Sequence, residues 1–262
     1  GTWQAWRGTL AAASGEQALA ELDLVASDGT FTVRGPFDLG AVMEESMLTQ
    51  LLGPQADINL TAALDERVAD FDLELRSDAL ALDGAGILDM GESQWRDTAF
   101  DFRLLEPSVL NETMSGEDVR GTATLEGMLS QPNVAYRADA ARLAVSETSF
   151  VNMAAQGTIT FAEGGAILIP LQARADRVEG LADLLAPLAD DLRIEGTLRV
   201  ADGRMTADDV ALASDTMAGT ADLSVNFADA SYTAAVKARA PRFPWDPFGV
   251  FDIRADINIR SL

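Results

Sequence analysis

The chain has no cysteine and no histidine, and only one lysine, Lys237. Without cysteine it forms no disulfide and no thiolate metal site. Without histidine it lacks the usual general base, proton shuttle and imidazole ligand. Aromatic residues make up 6% of the chain, and apolar runs such as AILIPL at 166–171 fall far short of a membrane-spanning helix. Positive charge is scarce, with 19 basic residues against 42 acidic ones and a net charge of −23. A duplex or an anionic membrane surface repels such a chain, which argues against nucleic acid as a partner. The sequence opens without an initiating Met or a signal-peptide pattern and reads as an excised or mature segment of a longer protein.

What the sequence does contain is alternation. VADFDLELR (68–76) sets Ala69, Phe71, Leu73 and Leu75 against Asp70, Asp72 and Glu74. TAFDFRL (98–104) sets Phe100, Phe102 and Leu104 against Asp101 and Arg103. ADLSVNF (221–227) sets Leu223, Val225 and Phe227 against Asp222, Ser224 and Asn226. FDIRADINIR (251–260) sets Phe251, Ile253, Ile257 and Ile259 against Asp252, Arg254, Asp256, Asn258 and Arg260. Period two with one apolar and one wet side is the pattern of half-buried strands. About sixteen such segments, separated by turn signals such as SDG, EGG and ADG, predict an all-β chain.

Four segments break the alternation. DLGAVMEESMLTQLL (38–52) has helical spacing, PSVLNETM (107–114) begins with a helix-start proline, and GLADLLAPLADDL (180–192) is a short helical stripe limited by Pro187. FPWDPFGV (243–250) is apolar, proline-rich and reads as irregular. The four begin near Asp38, Pro107, Gly180 and Phe243, at spacings of 69, 73 and 63 residues. Each follows a strand carrying Arg34, Arg103, Arg174 or Arg239 near its end, and each precedes a fresh strand. ADINL at 56–60 and its near-copy ADINI at 255–259 are two of those strands. The pattern predicts one continuous, elongated β-repeat array over 1–262 with a period near seventy residues. A compact sandwich is the alternative.

No catalytic constellation is legible. Asp190 with Asp191 and Asp208 with Asp209 are adjacent carboxylates in apparent turns, where solvated loop charge is the plain reading. No calcium loop, phosphate loop, dinucleotide fingerprint or nucleophile elbow occurs. The EGG at 163–165 lacks the Gly-Asp repetition of a calcium-binding roll, and NET at 111–113 is a formal glycosylation triplet that recurs by chance. Trp3, Trp6, Trp95 and Trp245 either stack on sugars or seal strand ends. The expectation is a protein that is not an enzyme and carries no cofactor or metal.

The phrases RGTLAAA, RGTATLEG and EGTLRVADG recur in order along the chain. With LLEPSVLNETMSGEDVRGTATLEGMLSQPNVAYRADAARL (104–143) and AILIPLQARADRVEG (166–180), they resemble the long periplasmic proteins of the TamB and AsmA-like group, of alphaproteobacterial type. The resemblance implies an interior segment of a periplasmic protein anchored in the inner membrane. It further implies a folded-over, taco-like sheet whose apolar groove supports phospholipid transport between the membranes, outer-membrane protein assembly and secretion, or both. A TamA-type outer-membrane barrel would be engaged by regions outside this segment, and no catalytic residues carry over.

The groove lining read from the alternation is Ile58, Leu60, Phe71, Leu73, Leu75, Phe100, Phe102, Leu104, Ile167, Ile169, Leu171, Leu223, Val225, Phe227, Ile257 and Ile259. Exposing a sixteen-carbon acyl chain to water costs on the order of 12 kcal/mol at ~0.8 kcal/mol per methylene. A continuous apolar trough removes most of that cost without a polar anchor. The same trough could hold an unpaired strand of an outer-membrane protein through edge hydrogen bonds. Two other classes compete: an extracellular binding or stalk module with a closed core, and a β-solenoid hydrolase with converging carboxylates.

Overall fold

The computed structural model describes residues 5–14, 17–38, 47–162, 165–181, 188–227, 229, 231–245 and 249–260. Of these, 76% lie in strands and 4% in helix, so the chain is all-β with short helical insertions. It divides into two compact units, residues 1–134 and 135–262.

The first unit contains β1 (Trp6–Ser14), β2 (Gln17–Ser27), β3 (Thr30–Phe37), α1 (Met47–Leu52), β4 (Ala56–Asp65), β5 (Val68–Ser77), β6 (Leu80–Asp89), β7 (Gln94–Leu104), β8 (Met114–Glu117) and β9 (Val119–Met128). Strands β1 to β7 form an antiparallel meander, and β9 pairs with β7. Tight turns close one end of the strands. Asp28 and Gly29 both have positive φ, which is what a two-residue hairpin needs to match strand twist. The longer connections lie at the opposite end, where α1 and a 3-10 turn at Pro107–Val109 sit.

Register puts every apolar residue of the alternation on one face. Ile58 opposes Leu75, Leu60 opposes Leu73 and Ala62 opposes Phe71 between β4 and β5. Leu75 opposes Leu82, and Leu82 opposes Phe102. In the register Phe71 is paired with Gly86, Phe100 with Gly84 and Phe102 with Gly121, so each of these large residues has a partner without a side chain. A Cβ on Gly84 would come within 2.6 Å of two Phe100 ring atoms, and only glycine leaves room for the ring. The opposite face is polar. Arg34 Nε donates to Asn59 Oδ1 at 2.8 Å, and Asn59 Nδ2 donates to Glu74 Oε2 at 3.0 Å.

The second unit is built alike from β10 (Asn133–Val145), β11 (Thr148–Phe161), β12 (Ile167–Ala175), β13 (Arg177–Glu179), β14 (Leu192–Ala201), β15 (Arg204–Ala213), β16 (Ala218–Asn226), β17 (Tyr232–Trp245) and β18 (Gly249–Arg260). Ile169 opposes Leu198, Leu223 opposes Ala234, and Ala234 opposes Ile259, again one apolar face. β7 and β15 each carry a bulge, at Asp97 and Asp209, and both aspartates adopt positive φ.

The interruptions mostly follow the sequence, with one correction. Met47–Leu52 is helical, while residues 39–46 lie outside the described residues, as do 163–164 of EGG and 182–187 of the third interruption. FPWDPFGV is not irregular throughout. Phe243, Pro244 and Trp245 complete β17, opposite Phe251, Val250 and Gly249 of β18, and residues 246–248 lie outside the described residues. Beyond Arg239, β17 has no β16 partner in the register, so a proline there forfeits no ladder bond on that side.

Candidate functional site

Among the described residues, eleven of the nineteen buried apolar ones are alanine. The large apolar side chains are left mostly half-covered, unlike a domain core, which buries its leucines and phenylalanines. Of the sixteen groove candidates only Leu75 is buried. Ile58, Leu60, Phe71, Leu73, Phe100, Phe102, Leu104, Ile167, Ile169, Leu171, Leu223 and Val225 are half-buried. Phe227, Ile257 and Ile259 are exposed, the last two at 42% and 48%. The first eight candidates share the apolar face of the first unit, and the other eight share that of the second. Asp70, Asp72 and Glu74 lie exposed on the reverse side.

Among the described residues, the packed clusters on the apolar faces lie near the interruption ends of the strands. Leu51 and Leu52 of α1 pack with Phe37, Ala56, Leu75, Leu80, Leu82 and Phe102. In the second unit Leu188 packs with Met217, Ala240, Phe243 and Ile253, and Ala189 packs with Val178, Leu192 and Ile194. Both lids are held by the same device, which sequence reasoning missed. Ser77 Oγ donates to Leu51 O at 2.7 Å and accepts from the N–H groups of Ala79 and Leu80. Ser214 Oγ donates to Leu188 O at 2.7 Å and accepts from those of Thr216 and Met217. The signal was the repeated Ser-Asp at SDAL (77–80) and SDTM (214–217), each in the hairpin turn beneath a lid.

At the tight-turn end of the first unit the face opens into an apolar cavity of about 540 Å³, lined by Trp6, Ala26, Gly29, Thr30, Phe31 and Leu64. Trp6 and Leu64 remain 51% and 41% exposed. Trp95 meets Phe71 edge-on at 6.3 Å beside the β6–β7 turn, as a ring sealing a strand end does. Trp3 and the side chain of Trp245 lie outside the described residues.

The carboxylates do not converge. Asp190, Asp191, Asp208 and Asp209 are exposed, and the N–H of Asp209 donates to Asp222 Oδ1 at 2.9 Å. Asn111 Oδ1 accepts from Thr113 N–H at 2.9 Å, so the NET triplet forms a local turn. Among the described residues no three acidic side chains gather as metal ligands would, and no helix is long and apolar enough to cross a membrane. No protein-family model, curated protein or solved structure matches this chain.

Proposed function

We propose that this chain is a segment of a TamB- or AsmA-like periplasmic bridge whose apolar faces form a groove for phospholipid acyl chains. The observation that carries the reading is the open apolar face: twelve of the sixteen groove candidates are half-buried and three are exposed. Side chains that pack into one another bury fully, whereas side chains that await a mobile apolar ligand stay half-covered. A one-sided sheet of this kind accepts methylenes anywhere along it, and the cavity at Trp6, Phe31 and Leu64 has the volume of a small-ligand site. In this reading the sheet folds over its apolar side. The parent protein is anchored in the inner membrane, and its far end meets a TamA-type barrel. Unfolded outer-membrane strands are the other client that such a groove would hold, supporting assembly and secretion.

The test is photo-crosslinking in the full chain. A benzophenone amino acid placed at Leu73 or Ile169 is expected to capture phospholipid, identified by mass spectrometry, whereas one at the outward Asp72 is not. Capture at none of the three positions, or equally at all of them, contradicts the proposal.

A further inference from the structure

Charge is divided unequally along the chain. Residues 1–134 carry 24 acidic and 7 basic side chains, and residues 135–262 carry 18 and 12. The strands that flank three of the four interruptions place arginines directly opposite one another on the polar face: Arg103 with Arg120, Arg174 with Arg193, and Arg239 with Arg254. Like charges in directly opposed positions destabilise a sheet. A chain with 42 carboxylates had acidic residues to place there instead.

One of the pairs displays what such an arrangement holds. The Asp252 carboxylate accepts from Arg239 Nε at 3.0 Å and Nη2 at 2.6 Å, and Arg254 Nη2 lies 3.8 Å from the same carboxylate. Here the chain supplies its own oxyanion. Arg174 has no such partner: no ion pair holds it among the described residues, and Arg193 meets only Asp215, at 3.7 Å with both side chains mostly exposed. A pair at that distance in solvent adds little.

Arg174 and Arg193 open instead onto a groove of about 540 Å³, whose lining also includes Arg137, Gln156, Gln172 and Glu195. Arg174 is flanked in register by Ala154 and Arg193 by Ala213, so small side chains leave both guanidiniums approachable from the side. Gln156 Nε2 donates to Gln172 Oε1 at 3.2 Å, which turns the amide donors of Gln172 to other use. Arg137 is oriented by Asp139 through Nε at 3.1 Å and Nη2 at 3.3 Å. Planar guanidinium forks beside amide donors match a tetrahedral oxyanion. Glu195 is the one carboxylate in the lining.

We propose that the polar face of the second unit carries a phosphate-binding site centred on Arg174 and Arg193 and completed by Arg137 and Gln172. The ligand class is a phosphate group, free or esterified in a lipid headgroup. The site lies on the face opposite the apolar one and is independent of the function proposed above. The net negative charge of the chain weakens approach from a distance, but at physiological salt it is screened beyond about 8 Å, and the guanidiniums act within that range.

Isothermal titration of the full chain with inorganic phosphate and, separately, with dihexanoyl phosphatidylglycerol distinguishes the two sources. Binding of either, weakened at least about tenfold by Arg174→Gln or Arg193→Gln, supports the site. Arg174→Lys, which keeps the charge but loses the fork, is expected to bind with intermediate strength, and Glu195→Gln more tightly than the parent chain. Arg204→Gln removes the same charge at the far end of the same unit and is expected to change nothing. Arg174→Gln also removes a like-charge contact, so its unfolding midpoint should not fall, which separates lost binding from lost folding. Absence of binding by both probes, or equal weakening by Arg204→Gln, overturns the proposal.

Discussion

Asp89 is 5% exposed at the turn between β6 and β7, where its Oδ1 accepts from Glu92 N–H at 2.8 Å and its carboxylate pairs with Arg96. The bond from the Glu92 backbone lowers its pKa, desolvation opposes this, and the charge of Arg96 adds to the lowering, so the carboxyl sits below its ordinary value. A group depressed in the folded state stabilises fully above its unfolded pKa, near ~3.9, and the contribution disappears as pH falls through the folded value. Asp89→Asn should therefore lose stability near neutrality, and the gap from the parent chain should narrow below about pH 4 in denaturant melts. A gap independent of pH removes Asp89 from the account. Gly157 is constrained differently. A Cβ there would lie 1.8 Å from Pro170 O, the atom that accepts from the Tyr136 hydroxyl at 2.9 Å. Gly157→Ala should cost about 1–3 kcal/mol in chemical denaturation, because backbone has to move. An unchanged midpoint would show that the β11–β12 contact yields freely.

For the elements, the two serine clamps make a sharp prediction. Ser77→Ala and Ser214→Ala each remove a donor to a lid carbonyl and an acceptor for two turn N–H groups. Each should destabilise its unit by about 1–3 kcal/mol and raise amide exchange in the adjoining lid. Exchange that is unaffected at Leu51 or Leu188 would mean that apolar packing alone seats the lids. Strand register is tested by Asp72→Cys and Leu73→Cys. A polar maleimide should label position 72 faster than 73, and equal rates would mean slippage. The alternation at 68–76 was readable because Asp70, Asp72 and Glu74 have no tolerable place among aliphatic neighbours, so a single register satisfies both faces. The same logic located Phe100, Phe102, Ile169 and Val225. It did not locate the serine clamps, whose role depends on a carbonyl 26 residues earlier in the chain. Nor did it see that FPW stays in β17, because composition does not tell which edge of a strand is left unpaired. The bulges at Asp97 and Asp209 were likewise invisible, since an aspartate in a strand reads first as a solvent-facing residue.

At the scale of the whole molecule, the account rests on apolar faces that the described residues leave incompletely covered. A sheet closed over a packed core and a sheet open to acyl chains carry the same sequence alternation, and they differ in how they tolerate a charge. In a packed core an unpaired carboxylate costs several kcal/mol and unfolds the protein. On an open face it draws in water, leaves the strands paired and evicts the neighbouring methylenes. The most direct measurement places Asp at Phe100 or Val225, both outside the packed clusters, and records, in the same preparation, the unfolding midpoint and the phospholipid crosslinked at Leu73 or Ile169. Phe100 and Leu73 both oppose Gly84 and share one face, and Val225 belongs to the face of Ile169. The account predicts a folded protein whose lipid capture on the substituted face is lost. Global unfolding of both variants, or a folded protein with undiminished capture, would contradict it.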